Sequence, residues 1–259
     1  MFGKKRIKMK KLITPLLFAS LTLTLPACDV LGDAAGTLIE NPISGSGEEN
    51  TNKLTNQEVI SGLKEALTVG IRNAVDVTSV TDGFYGNPLI KLPFPESAQK
   101  MKDKALEWGL DGQVEKITTT LNRAAEDAAK AATPIFINAI KNMSVQDGFK
   151  ILNGGEGAAT DFLRKNTEQD LETAFAPKVD ESIKEVKLTE YWNPVMSKYN
   201  KAMKFTGGEE VNTDLNKYVT EKAMDGLFHM VKKEENKIRK DPAARVSDLL
   251  NKVFGSIGQ

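Results

Sequence analysis

The stretch from Asp111 to Met143 constrains the fold most, because its apolar residues recur at helical spacing. When each residue is advanced by 100°, one set of side chains falls within about a quarter-turn of Leu121. The set comprises Val114, Ile117, Ala124, Ala125, Ala128, Ala132, Ile135, Ala139 and Met143. Its alanines leave room for another helix to approach closely. We therefore expect a long helix over 111–143 that packs against a partner helix.

The ends and the middle of this predicted helix carry further signals. Pro134 lacks an amide hydrogen and clashes with the carbonyl four residues back, so we expect a kink or break just before it. Asp111 is expected to cap the start. Ser144 with Asp147 is expected to open the next helix. Arg123 and Asp127 lie four residues apart on the solvated face and are expected to pair.

A second long helix is predicted over Thr213–Lys240. Its middle, AMDGLFHMV, is apolar nearly all round, which indicates that it is covered on most sides. Leu227 and Ile238 share the core face, whereas His229 points away and is interpreted as a surface histidine. The predicted fold class is therefore all-α, an irregular multi-helix bundle around the helices at about 111–143 and 213–240.

Shorter helices fill the remainder of the predicted bundle. Thr55 and Glu58 form a capping box for a helix that runs to about Thr78. Other helices are expected over 97–109, 144–153, 158–166 and 167–176, from Pro177, over 189–203, and from Ser247. Thr167 is expected to cap the helix over 167–176. The segment GGEGAAT at 154–160 lacks the lysine and the preceding strand of a phosphate loop, so we interpret it as a turn between helices.

The segment TDGFYGNPLIKLPFPES, residues 81–97, is predicted to be an ordered loop, because it holds prolines and glycines and has no partner strand. Its aromatic residues Phe84, Tyr85 and Phe94 are expected to fold back onto the helices. The alternative is that the loop lines a groove for a ligand or partner.

Charge and residue counts exclude several functions. Six of the 35 basic residues lie in the first 27 positions, which leaves 29 basic against 35 acidic residues in the remainder. Such a body does not attract nucleic acid. A single cysteine and a single histidine exclude an internal disulfide and multi-thiolate or multi-histidine metal sites. We expect no metal and no cofactor.

The N-terminus is predicted to be a secretory signal, because a basic start precedes a short apolar run from Leu12 to Ala27. It ends in Leu25, Pro26, Ala27 and Cys28, which resembles the lipobox of bacterial lipoproteins. The resemblance implies cleavage before Cys28 and lipidation of that residue, which would hold the protein on a membrane.

Three parts of the chain are therefore predicted. Residues 1–27 are the signal peptide, residues 28–54 are a flexible tether poor in large apolar residues, and residues 55–259 are a single helical domain. The protein is expected in the bacterial cell envelope, lipid-anchored and facing the periplasm; the sequence leaves open which membrane holds it.

One group of polar residues borders the predicted core faces. It comprises Asn122, Arg123, Glu126, Glu234, Glu235 and Arg239. Arg239 could meet Glu126 or Glu235 if the two long helices pack together. One interpretation is an ion-pair network that fixes helix register. The other is a polar cleft in which Glu126 or Glu235 serves a ligand or a reaction.

Several blocks of sequence resemble the uncharacterised domain-of-unknown-function family 4197 of bacterial lipoproteins. They are GLKEAL at 62–67, DGFYGNPLIKLPFPE at 82–96, LNRAAEDAA at 121–129, ILNGGEGAATDFLR at 151–164 and EENKIRKDPAARVSDLLNKVFG at 234–255. The resemblance implies an all-helical envelope protein and brings no activity with it.

The expected function is binding, by a membrane-anchored helical domain, of a partner protein, an envelope component or a small apolar molecule. One alternative is a carboxylate enzyme or small-ligand site around Glu126, Glu235 and Arg239. A second alternative is a purely structural envelope factor.

Overall fold

The computed structural model describes residues 54–241, 244–245 and 247–255. The predicted signal peptide, Cys28 and all but the last residue of the predicted tether lie outside these ranges. Within them the chain forms nine α-helices and one short 3-10 helix, Glu96–Ala98, with no strand. The helices are α1 Asn56–Thr78, α2 Gln99–Glu107, α3 Asp111–Ala129, α4 Ala132–Asn142, α5 Val145–Asn153, α6 Ala158–Glu185, α7 Leu188–Thr206, α8 Leu215–Lys240 and α9 Asp248–Gly255. The predicted all-α bundle is confirmed.

The predicted long helix around Leu121 is broken rather than kinked. Helix α3 ends at Ala129 and α4 begins at Ala132, so Pro134 lies in the first turn of α4. An amide in that turn has no intrahelical acceptor, and the proline therefore loses no hydrogen bond there. The break falls just before the proline, as the sequence indicates.

Helix α8 lies at the centre of the bundle and packs against α1, α3 and α6. Leu121 and Ala125 of α3 are fully buried, as is Leu227 of α8. Small side chains on α3 permit the close approach of its neighbours. The two helices that the sequence singles out therefore pack together as predicted.

A third long helix, α6, corrects the prediction of separate helices at 158–166, at 167–176 and from Pro177. Thr167 is buried inside α6 and its hydroxyl donates to the carbonyl of Leu163 at 2.7 Å, so it caps no new helix. Pro177 is exposed within the same helix. The flanking Phe175 and Val179 are fully buried. Their packing against the bundle holds the helix through the proline, because tertiary burial outweighs local propensity.

Of the other capping predictions, two are confirmed and one is wrong. Thr55 with Glu58 and Ser144 with Asp147 both form capping boxes. Asp111 is instead the first residue of α3, and Leu110 occupies the cap position without a side-chain hydrogen bond. An acidic residue in the first turn still favours the helix through its dipole.

Candidate functional site

The loop between α1 and α2, residues 79–95, is fastened to α3 by a buried carboxylate. One oxygen of Glu126 accepts hydrogen bonds from the backbone amides of Phe84 and Tyr85, both at 3.1 Å. Its other oxygen accepts from Arg123 at 2.7 Å. Glu126 is only 4% exposed. The hydrogen-bonding capacity of this carboxylate is therefore used to hold the start of the loop.

Arg123 does not make the predicted pair with Asp127. Its second guanidinium nitrogen donates to Asp82 at 2.7 Å, so it bridges the loop and Glu126. Asp127 accepts instead from Lys130 and from Ser182. The loop offers a carboxylate within reach, and the arginine therefore turns toward it rather than along the solvated face.

The end of the same loop is held by an asparagine that acts like a neighbouring strand. The side-chain amide of Asn122 accepts from the backbone amide of Leu92 at 2.8 Å and donates to its carbonyl at 3.0 Å. Asn122 is completely buried. In addition, the hydroxyl of Tyr218 on α8 donates to the carbonyl of Pro93 at 2.7 Å. Both ends of the loop are thus bonded to long helices.

The aromatic residues of the loop fold back onto the bundle, as predicted. Phe84 is fully buried and Phe94 stacks on Trp192 with ring centroids 5.4 Å apart. Phe84 also packs against Gly226 of α8, where an added β-carbon would lie 2.5 Å from its ring and 3.2 Å from Ile90. Glycine at this position therefore allows the loop to lie directly on α8.

The outward side of the loop forms a groove with α8, which we call the loop–α8 groove. It has a volume of about 260 Å³. Its lining residues are Leu89, Ile90, Lys91, Leu92 and Pro93 of the loop and Lys222, Asp225, Gly226 and His229 of α8. The two interpretations of the loop are thus compatible, because its aromatic residues pack inward while its other side lines a groove.

The charges around this groove are mainly basic. Lys222 and His229 are exposed, and the surface position predicted for His229 is confirmed. The ammonium of Lys91 lies 3.8 Å from the centroid of the Tyr85 ring. Asp225 accepts from Arg164 at 3.2 Å, which offsets its charge. The groove therefore offers positive groups beside an apolar wall.

A second buried carboxylate, Glu235, holds the start of α6. Its oxygens accept from the backbone amides of Ala159 at 3.0 Å and Thr160 at 2.9 Å, and from the Thr160 hydroxyl at 2.8 Å. Arg239 donates to Glu235 at 3.0 Å and to the carbonyl of Ile151 at 2.8 Å. The amides of a helix N-terminus attract anions. Here an internal carboxylate fills that position, so the glycine-rich turn before α6 has no vacant phosphate site.

The structure divides the six predicted polar residues into separate groups. Asn122, Arg123 and Glu126 hold the loop, and Glu235 with Arg239 holds the α5–α6 connection. Glu234 lies apart from both and accepts from Asn73 of α1 at 3.0 Å. Glu126 and Glu235 are the two expected partners of Arg239, and it binds Glu235. Glu126 binds Arg123 and the loop amides instead.

Little space for a substrate exists beside Glu235 and Arg239. The cavity that they border measures about 20 Å³ and is lined otherwise by side chains such as Leu63, Leu67 and Val231. A volume of this size holds one or two waters at about 10–15 Å³ each. Within the described ranges, histidine, cysteine and acidic side chains form no group of three or more that could hold a metal ion.

Sequence reasoning missed that the partners of both carboxylates are backbone amides. Two signals pointed to them. Helix α6 starts at Ala158 without a capping residue in its own sequence, so its cap has to come from elsewhere. Gly226 interrupts the apolar middle of α8, and a glycine inside a helix usually has a packing reason.

Comparisons with known proteins add the family. No curated protein and no solved structure matches the chain. None of the described helices is both long and apolar enough to traverse a bilayer. The family model described as "Protein of unknown function (DUF4197)" matches residues 53–255, which include every helix described above. The resemblance seen in the sequence blocks is thereby confirmed, and the chain belongs to this family.

Proposed function

We propose that this chain is a lipid-anchored protein of the bacterial envelope whose helical domain binds a partner protein. The partner segment would carry acidic and apolar residues and would lie in the loop–α8 groove. The anchoring part of the proposal rests on the signal sequence and on Cys28 within a lipobox-like motif. The binding part rests on the groove and on one exposed residue that lines it.

That residue is Leu89, which carries the proposal. Its side chain is 64% exposed, although the loop around it is bonded to α3 and α8. A single exposed apolar side chain is common on protein surfaces, but this one lies on a fixed segment that lines a groove, where it offers a partner an apolar contact. Its burial by a partner would contribute roughly 2 kcal/mol. Because this segment is already ordered, binding does not include the entropic cost of ordering it.

The chemistry of the partner follows from the charges in the groove. The cationic side chains that line it are Lys91 and Lys222, and the charge of Asp225 is partly offset by Arg164. Opposite charge across an interface steers association and selects partners. An acidic segment with an apolar residue for contact with Leu89 therefore fits best.

Binding is favoured over the carboxylate enzyme by the hydrogen bonds of the two buried carboxylates. Glu126 and Glu235 each accept from two consecutive backbone amides and from an arginine. A general acid or base needs to reach a reacting proton. Both carboxylates are instead bonded to donors of the protein itself, and the cavity beside Glu235 has room for one or two waters. We therefore infer that they stabilise the fold.

The test places a photo-reactive amino acid at position 89 of the full chain in cells. The same residue at position 145 is the control, because Val145 is also exposed, at 47%, but lies on α5. A partner should be captured from position 89 and not from position 145. Binding of that purified partner should then weaken at least about tenfold in Lys222→Glu, at an unchanged melting temperature, and should also weaken with added salt.

Two results would contradict the proposal. One is equal capture of the same proteins from positions 89 and 145. The other is a purified partner whose affinity is the same for Lys222→Glu and for the unmodified chain.

A further inference from the structure

A second groove lies where α4, α5 and α6 meet, and we call it the α4–α6 groove. It measures about 200 Å³, far above the roughly 10–15 Å³ that one water needs. Its lining residues are Ile135, Asn138, Ala139, Asn142, Asp147, Phe162, Asn166 and Asp170. Three amides, two carboxylates and an apolar wall thus face one space; of these side chains, only Asp147 has a contact described above, in the capping box of α5.

The polar side chains of this groove keep hydrogen-bonding capacity for a ligand. Within the described residues, Asn142 donates to Asn138 at 3.3 Å and Asn166 donates to the carbonyl of Phe162 at 2.7 Å. The side-chain oxygens of Asn142 and Asn166 and the amide nitrogen of Asn138 therefore remain available for hydrogen bonds to a ligand. One oxygen of Asp147 accepts from Ser144, and Asp170 is exposed. Both donors and acceptors remain, so a ligand with hydroxyl groups can be matched in both directions.

The electrostatics of the groove favour a neutral ligand. The pKa of Asp147 is lowered, first by the hydrogen bond from Ser144 and also by the charges of Lys150 and Lys165. These two lysines do not line the groove, but they lie near enough to Asp147 to offset part of its charge. An anionic ligand would be repelled by the two carboxylates that line the groove, and the nearby lysines weaken the attraction for a cationic one.

The remaining wall is apolar and fixed. Phe162, Ile135 and Ala139 are partly buried and packed against the core. A small binding site typically combines such a wall with a few convergent polar groups. A sugar ring has the matching character, because its C–H groups form apolar patches while its hydroxyls lie around the edge.

We propose that the α4–α6 groove binds a neutral carbohydrate, as a monosaccharide or as the terminal sugar of a glycan. The amides of Asn138, Asn142 and Asn166 bond its hydroxyls, and Phe162 contacts its C–H face. This site is independent of the loop–α8 groove, so either proposal can fail while the other holds.

The test uses saturation-transfer NMR on the full chain in a sugar-free detergent. The probes are glucose and N-acetylglucosamine as neutral sugars, glucosamine as a cation and glucuronate as an anion. A neutral sugar should bind. Its affinity should fall about tenfold in Asn166→Leu and in Asp170→Asn. The control is Gln169→Leu, an exposed residue of the same helix that does not line the groove, and it should bind as the unmodified chain does.

Melting temperatures of the three variants should match that of the unmodified chain, because all three positions are exposed. The proposal is overturned if neither neutral sugar binds. It is also overturned if glucosamine or glucuronate is the only sugar bound, or if Asn166→Leu and Gln169→Leu bind equally.

Discussion

Two glutamates, Glu126 and Glu235, are buried in the same manner at different places in the bundle. Each has an arginine on its own helix, at position 123 or 239, and each accepts from two consecutive backbone amides of another segment. Burying a carboxylate is expensive unless its oxygens are bonded. The charge is therefore retained for the geometry that it imposes on a loop and on a helix start.

The substitution Glu126→Gln tests that role. A glutamine can keep one oxygen toward the amides of Phe84 and Tyr85, but its amide group then faces Arg123, which is also a donor. We expect the free energy of unfolding to fall by about 1–3 kcal/mol, measured by denaturant titration. Glu172→Gln, at an exposed position on α6, should change it by less than about 0.5 kcal/mol. Equal stability of the two variants would contradict the structural role of Glu126.

A second test of a single residue concerns how the free energy of unfolding depends on pH. Burial, together with the charge of Glu96, raises the pKa of Tyr218 from 10.0 to about 12. The folded protein therefore holds this proton more tightly than the unfolded chain. The resulting stability is fully present below pH 10 and is lost between pH 10 and about 12.

We expect Tyr218→Phe to lose about 1 kcal/mol at neutral pH, because the hydrogen bond to Pro93 is removed. Its free energy of unfolding should also decline less steeply than that of the unmodified chain above pH 10. Denaturant titrations at several pH values measure both effects. Parallel curves above pH 10 would show that Tyr218 titrates alike in the folded and unfolded states.

The positions of the polar residues could be predicted from the sequence, whereas most of their partners could not. Helical spacing places Asn122 and Glu126 at the edge of the buried face of α3. Their partners are backbone groups 30 and about 42 residues away. Every residue carries an amide and a carbonyl, and no side-chain pattern marks which ones are used.

Among the elements, α8 and the loop beside it show that a glycine can stabilise a helical bundle. Glycine is intrinsically less favourable than alanine in a helix by about 1 kcal/mol. At Gly226, however, an added β-carbon would lie 2.5 Å from Phe84. Both Phe84 and its backbone are held in place, so the ring has little freedom to move away.

We therefore expect Gly226→Ala to lower the free energy of unfolding by about 1–3 kcal/mol, as overpacking does. The matched change Gly112→Ala lies in the first turn of α3, where nothing approaches within 4 Å, and it should raise stability by about 0.5–1 kcal/mol. Thermal and denaturant unfolding measure both. A stabilised Gly226→Ala would mean that the loop yields at this contact.

Helix α6 shows that local sequence signals alone do not define where a helix begins and ends. Thr167 and Pro177 carry the local signals of a cap and a helix start, and both lie inside one helix of 28 residues. The buried Leu171, Phe175 and Val179 keep a common face across the proline. Long-range packing against α3, α4 and α8 decides this case. The break before Pro134 could be predicted, because the sequence signals there agree with the packing.

At the scale of the whole molecule, the proposed anchor is tested by Cys28→Ala. Acyl chains contribute about 0.8 kcal/mol for each buried CH₂ group, so the lipidated chain should stay in the membrane fraction. The variant should move to the soluble fraction, as measured by immunoblotting after a carbonate wash. Retention of Cys28→Ala in the washed membranes would rule out an anchor that depends on this residue.

The fastening of the loop to α3 and α8 has a thermodynamic consequence for any occupant of the loop–α8 groove. A ligand that binds only the folded form stabilises it by RT ln(1 + L/Kd), an amount that grows with the ligand concentration L. Since the wall that it touches is joined to two central helices, that linkage extends to the entire bundle. Saturating the groove would therefore raise the temperature at which the core itself melts, and screening by heat could report occupancy without a label.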